Sequence, residues 1–213
     1  KRRGQLNKFY AEAKELFPYT QKLRRDFHAH PELGFQEVRT AGIVADELNK
    51  LGIEVSTGIA KTGVIGIIEG NGPGPVVLLR FDMDALPIEE ETGAEYASQT
   101  PGIMHACGHD IHMSVWAGTL RTMAAFREHW NGTLIAIAQQ AEEQSGGAQL
   151  AIENGLYEKL PVPDFGLAYH INPELESGSI GLAGGPVFAG VKSAEITVFG
   201  KGGHGAYPEK CID

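Results

Sequence analysis

The chain has 213 residues, of which 42% are hydrophobic and 21% are charged, a composition typical of a folded globular protein. Its 27 acidic residues outnumber its 18 lysines and arginines, which gives a formal net charge of -9. This balance argues against a nucleic-acid partner and against an anionic membrane surface, since both require a basic face. No apolar run approaches the length of a membrane-spanning helix.

Helical spacing of apolar residues predicts four helical regions. The first covers residues 6–30 and is interrupted near Pro18, because proline disfavours the interior of a helix. The others cover residues 37–51, 111–130 and 146–155.

Short segments rich in β-branched and apolar residues predict strands between these helices. They cover residues 53–59, 63–70, 75–82, 132–140, 165–171 and 178–184. A further segment, 191–203, alternates apolar and polar residues as a half-exposed strand does. Helices that alternate with buried strands predict an α/β fold.

The AGGPVFAG stretch, residues 183–190, is the best candidate for a domain boundary. We therefore predict one α/β domain over residues 1–185 and the beginning of a smaller domain over 186–213. The amphipathic pattern breaks off shortly after a glycine-rich loop, so we expect the chain to be an N-terminal fragment of a longer protein.

The two cysteines, Cys107 and Cys211, are too few and too far apart to form a disulfide framework. We therefore predict a cytoplasmic location. A periplasmic or secreted location is the alternative, because the chain does not begin with methionine.

Metal-binding residue types are concentrated in MHACGHDIH, residues 104–112. Cys107 and His109 are two positions apart, so both side chains can approach one point, and thiolate and imidazole are good ligands for zinc-like ions. The Glu142–Glu143 pair and His170 follow other predicted strands. In an open α/β sheet such strand ends converge, which predicts one shared site.

Asp82 and Asp110 are candidates to hold a histidine ring by its second nitrogen. Each candidate residue taken alone has an ordinary structural explanation, such as a buried thiol or a solvated turn. The combination at matching strand ends is what indicates a functional site.

Five stretches of the sequence together resemble one family. They are HAHPELGFQE, LLRFDMDALPIEEE, PGIMHACGHDIHMSVWAGT, QQAEEQSGGA and FGKGGHGAYP, in that order. In these motifs the chain resembles the hippurate hydrolase and auxin-conjugate hydrolase branch of the aminoacylase–carboxypeptidase metalloamidohydrolases. The resemblance implies a three-layer α/β/α catalytic domain and a smaller α+β lid domain through which homodimers or higher homo-oligomers form.

The resemblance also implies two divalent metal ions, zinc or manganese, with cobalt and nickel as further alternatives. The metal-ligand positions of the family are matched by Cys107, His109, Glu143 and His170. Glu142 matches the general base, and His204 matches a lid histidine that holds the substrate.

One position departs from the related peptidases, which carry a metal-binding histidine two residues before the aspartate that Asp82 matches. Arg80 stands there instead. We therefore expect Asp82 to orient a neighbouring side chain without binding metal. The resemblance implies one further histidine ligand from a later segment, so the two-metal site is expected to need that segment.

The implied function is metal-dependent hydrolysis of the amide bond of N-acyl or N-aroyl amino acids or short peptides, with water activated by Glu142. Two alternatives stay open. In the first, Cys107 is the nucleophile of a thiol hydrolase and His105 or His109 is its base. In the second, the chain is catalytically inactive and its metal site is structural, which would leave Glu142 without a task.

Overall fold

The computed structural model describes residues 2–143, 146–187, 190, 194–197 and 199–212. The chain forms two compact units, Lys1–Ile171 and Asn172–Asp213. The boundary suggested by the sequence, between residues 185 and 186, lies inside the second unit. The predicted division into a domain over 1–185 and a smaller domain from 186 stays a prediction.

The first unit contains six α-helices in its described residues. They are α1 (Arg2–Glu15), α2 (Phe17–Ala29), α3 (Val38–Asn49), α4 (His109–Ala125), α5 (Gly147–Glu153) and α6 (Leu156–Lys159). The predicted interruption near Pro18 is confirmed, since α1 ends just before it and proline occupies the first turn of α2, where its missing N–H is not needed. None of the described helices is both long and apolar enough to cross a membrane.

Five strands form one mixed sheet. They are β1 (Glu54–Ile59), β2 (Gly63–Glu69), β3 (Val76–Asp82), β4 (Thr133–Gln139) and β5 (Phe165–Ala168), in the spatial order β1-β2-β4-β3-β5. The pairs β1–β2 and β2–β4 are antiparallel, whereas β3 pairs in parallel with both β4 and β5. The carboxyl ends of β3, β4 and β5 therefore lie at the same edge of the sheet.

The two faces of the sheet are covered by different helices, as β4 illustrates. Leu134, Ala136 and Ala138 belong to a core cluster with residues of α2, α3 and α4. Ile135 and Ile137 belong to a second cluster with residues of α5 and α6. Because successive side chains of a strand point to opposite faces, this alternation gives three layers and confirms the predicted α/β/α class.

One predicted strand is absent, and another lies partly outside the described residues. Residues 178–184 contain no strand, so that prediction is wrong. In the predicted strand 191–203, the described residues 194–197 and 199–203 form no strand apart from an isolated bridge between Lys201 and Ile212, while 191–193 and 198 lie outside the described residues. An amphipathic segment forms a strand only beside a partner, and Ile196 is 83% exposed here.

The layer arrangement predicts which side chains of α4 stabilise the fold. Leu120 is fully buried in the first cluster, whereas Val115 in the same helix is 45% exposed. We expect Leu120→Ala to lower the free energy of unfolding by about 2–5 kcal/mol, because it leaves a cavity. Val115→Ala should change it by less than about 0.5 kcal/mol. Denaturant unfolding of both variants measures the difference, and equal losses would contradict the assigned orientation of α4.

Candidate metal centre

Gly108 shapes the loop that carries two candidate ligands. It precedes α4 with φ of 82°, in the left-handed region that favours glycine. A Cβ at this position would lie 2.2 Å from Cδ1 of Ile171. This turn, together with the end of β5, brings ligand atoms of Cys107, His109 and His170 within 4.8 Å of one another.

His170 directs the unprotonated nitrogen of its ring toward this group. Its Nδ1 lies 2.7 Å from the carbonyl oxygen of Ile171, and a carbonyl oxygen only accepts, so Nδ1 carries the hydrogen. The lone pair of Nε2 is then directed at Sγ of Cys107, 3.3 Å away. A metal-binding histidine commonly shows this arrangement, with its other N–H donated to a carbonyl.

His109 lies at the centre of the cluster and is fully buried. Its Nε2 is 3.6 Å from Oε1 of Glu143, and its Nδ1 is 3.4 Å from Oδ1 of Asp84. Neither ring nitrogen, nor Oε1 of Glu143, has a hydrogen-bond partner among the described residues. Burial acts to lower the pKa of His109, but the surrounding carboxylates outweigh burial and the pKa is raised.

The adjacent glutamates follow β4 at the same edge of the sheet. A ligand atom from each of Glu142, Glu143 and His109 lies within 4.8 Å of the others. Glu142 is exposed and Glu143 is partly buried, so the two carboxylates meet different surroundings. The backbone N–H of Glu143 donates to Asp84 at 2.9 Å, which fixes the pair relative to the loop after β3.

Asp82 holds a different histidine from the one at the centre. Nδ1 of His112 lies 2.6 Å from Oδ1 of Asp82, while Nε2 of His112 accepts the backbone N–H of Ile171 at 3.1 Å. Both ring nitrogens of His112 are therefore engaged, although this ring also lies close to His109. Burial acts to raise the pKa of Asp82, but the bond from His112 and nearby positive charges lower it to about 2.

Asp110 does not contact a candidate ligand through its carboxylate. It accepts a hydrogen bond from Nδ1 of His28 at 2.7 Å and forms an ion pair with Arg24, whose Nε lies 2.9 Å away, and both contacts tie the start of α4 to α2. The hydrogen bond with Asp110 is the largest cause of the raised pKa of His28.

Asp84 was missed by the sequence reasoning, which considered only Asp82 and Asp110 as partners for a histidine ring. It is 1% exposed and lies beside Nδ1 of His109. The triplet Asp82-Met83-Asp84 contains a signal for its role, because residues two apart in an extended segment share a side, so Asp84 is expected on the same side as Asp82.

His204 lies in the second unit, where it is exposed. Its Nδ1 accepts the backbone N–H of Ala206 at 3.1 Å, and its carbonyl accepts the N–H of Tyr207 at 2.8 Å. The assignment of His204 as a substrate-binding residue stays a prediction.

Comparison with known sequences assigns the chain to a family. Residues 78–210, more than half of the chain, match peptidase family M20/M25/M40. The chain is an M20-family member. The expected resemblance to metalloamidohydrolases is thereby confirmed.

Several M20 relatives are similar over most of the chain. Thermostable carboxypeptidase 2 of Saccharolobus solfataricus is 39% identical over 98% of this chain and 53% of its own length. The N-acyl-L-amino acid amidohydrolase of Geobacillus stearothermophilus is 42% identical over 89% of this chain and 51% of its own length. The chain thus spans about half the length of these relatives.

A solved M20 structure supports the same fold. The YXEP protein of Bacillus subtilis, described as a dinuclear metal binding peptidase, is 40% identical and superposes with a TM-score of 0.69. The matched region covers 76% of this chain and 45% of that one.

The donor atoms in this M20 chain fit a divalent ion. Two atoms bound to one tetrahedral zinc at about 2.1 Å lie about 3.4 Å apart. The partnerless Nε2 of His109 and Oε1 of Glu143 are 3.6 Å apart, and Cys107 Sγ is 3.3 Å from His170 Nε2. Sulfur, imidazole and carboxylate donors together suit zinc, and the carboxylate also suits manganese.

The geometry weighs against His105 or His109 as the base for a Cys107 nucleophile. Neither His105 nor His109 is hydrogen-bonded to Cys107 among the described residues; its partner there is His170. Burial, reinforced by Glu143, raises the pKa of Cys107 to about 12, so the unassisted thiol stays protonated near neutral pH.

The turn at Gly108 predicts a specific sensitivity. We expect Gly108→Ala to reduce the metal retained after dialysis, because its Cβ would clash with Ile171 and its positive φ would be strained. Gly42→Ala is the control, since no atom lies within 4 Å of a Cβ at that position in α3. Metal content per folded protein measures the effect, and equal retention by both variants would contradict it.

Proposed function

We propose that the protein containing this chain hydrolyses the amide bond of N-acyl or N-aroyl amino acids or short peptides, using two divalent ions. The observation that carries the proposal is the buried, partnerless pair of His109 Nε2 and Glu143 Oε1, 3.6 Å apart beside an exposed Glu142. A closed structural site would need no further carboxylate there. The named activities of the M20 relatives support the same reaction class.

Four side chains would hold the ions: Cys107, His109, Glu143 and His170. His112 is left out because both of its ring nitrogens already have partners. The proposed role of Asp82 is to orient His112. Asp84 would orient His109, because its Oδ1 lies 3.4 Å from Nδ1 of that ring. Two ions are proposed because the similar Bacillus subtilis protein is described as dinuclear.

Glu142 is the proposed general base. Divalent ions in the site would polarise the amide carbonyl and lower the pKa of a water molecule toward neutrality. The Glu142 carboxylate, exposed at the edge of the cluster, takes a proton from the attacking water and returns it to the departing amine. Its neighbour Glu143 points toward His109, so the two adjacent carboxylates divide the tasks of ligand and base.

The lid histidine and the assembly complete the proposal. His204 would donate a hydrogen bond to the oxyanion that forms on the substrate, where such donors contribute strongly to catalysis. The full-length protein would form a homodimer or a higher homo-oligomer.

The role of Glu142 predicts the behaviour of its amide variant. Glu142→Gln in the full-length protein should lower kcat by about 10²–10⁴-fold while metal content is retained, because an amide cannot accept the proton. Steady-state hydrolysis of hippurate and acetylated amino acids measures kcat. Glu153→Gln, at an exposed position in α5, is the control and should behave as wild type. Unchanged turnover in Glu142→Gln would remove the proposed base.

Metal removal separates this reaction from thiol hydrolysis. We expect a chelator to abolish hydrolysis by the full-length protein, and added zinc or manganese to restore it, since the reaction needs the ions. Activity that survives complete demetallation but is abolished by alkylation of the thiol would instead support Cys107 as the nucleophile.

A further inference from the structure

Glu37 is a fully buried carboxylate whose two oxygens have separate partners. Oε1 accepts the backbone N–H of Ala141 at 2.9 Å, and Oε2 accepts the hydroxyl of Thr62 at 2.6 Å. The residue directly precedes α3, far from Ala141 in sequence. A buried carboxylate is costly unless its oxygens are satisfied, so both bonds constrain where it can lie.

Ala141 has an unusual backbone conformation at a position next to the proposed base. Its φ is 48°, in the left-handed region, and it is fully buried. A non-glycine residue in this region costs about 1–2 kcal/mol and persists only where its surroundings hold it. The bond to Glu37 is made by the N–H of this same residue.

Two buried carboxylates therefore anchor the turn at both ends. Glu37 accepts the N–H of Ala141, and Asp84 accepts the N–H of Glu143 at 2.9 Å. Glu142 lies between these two anchors, and its backbone direction is fixed by them. Its own side chain is exposed, so packing contributes little to its placement.

We propose that Glu37 is a positioning residue for catalysis, which holds the left-handed turn at Ala141 so that Glu142 faces the metal centre. This inference rests on the proposed role of Glu142 as the base. It assigns a catalytic purpose to a carboxylate at the start of α3 that does not itself touch substrate or metal. A displacement of the base by about an ångström is enough to cost about 100-fold in rate.

The test compares three substitutions in the full-length, metal-loaded protein. Glu37→Met removes both acceptors and should lower kcat by about 10–100-fold, with KM changed less than about twofold. Glu37→Gln keeps an acceptor for Ala141, and its amide can donate to Thr62, so it should retain most of kcat. Glu37→Asp withdraws the carboxylate from Ala141 and should give an intermediate kcat. If Glu37→Met does not fold, the comparison of the aspartate and glutamine variants decides.

Glu32 supplies the matched control. Its carboxylate also accepts backbone N–H groups, from Arg39 at 3.0 Å and Thr40 at 2.7 Å, but these belong to α3 and not to the turn at Ala141. Glu32→Met should lower thermal stability with kcat per folded molecule unchanged.

Three results would overturn the inference. They are wild-type kcat in Glu37→Met or Glu37→Asp, an equal loss of kcat in Glu32→Met, and a loss of kcat that excess metal fully restores. If Glu142→Gln keeps full activity, the proposed base is wrong, whatever the Glu37 variants show. If Glu142→Gln is inactive and the Glu37 variants are normal, only the positioning role fails.

Discussion

The site depends on the convergence of three carboxylates on one buried imidazole. Asp82, Asp84 and Glu143 lie 3.4–3.7 Å from the ring nitrogens of His109. Like charges buried together destabilise a fold unless a cation offsets them. A divalent ion bound among these side chains would offset this charge. Metal binding would therefore contribute to the stability of this region as well as to chemistry, because the ion binds only the folded arrangement.

Sheet topology explains why these residues meet. Strands β3, β4 and β5 are adjacent and parallel, and Asp82 at the end of β3 pairs with Gln139 at the end of β4. The glutamate pair follows β4 within four residues, and His170 follows β5 within two. Residues distant in sequence thus reach one edge without long loops. The antiparallel strands β1 and β2 extend the sheet on the far side of β4.

Much of this arrangement is visible in the sequence, but the individual partners are not. The strand-end clusters and the helix after MHACGHDIH predict that Cys107, His109 and His170 come together, as the structure shows. Which nitrogen of His109 each of Asp82 and Asp84 approaches depends on how the chain leaves β3, which the spacing of polar residues does not specify. The hydrogen bond between Glu37 and Ala141 spans 104 positions, and one sequence contains no local signal for such a contact. Residues 178–184 have a strand pattern but no partner strand among the residues that the structure describes, and pairing, not propensity, decides whether such a segment forms a strand.

The HPELGFQE stretch, residues 30–37, contacts the chain at the ends of two strands of the sheet. Its Glu32 carbonyl accepts the N–H of Ala85 at 2.8 Å, and Leu33 forms a parallel bridge with the same residue. A few residues later, Glu37 reaches the turn after β4. One short segment before α3 therefore touches the chain where it leaves two adjacent parallel strands. Polar groups that are held in place by such contacts do not have to reorient when charge develops nearby. This preorganisation is a large electrostatic contribution to catalysis in enzymes generally. The helices α2 and α3 thus do more than cover the sheet, because the connection between them carries Glu37, whose carboxylate contacts the turn after β4.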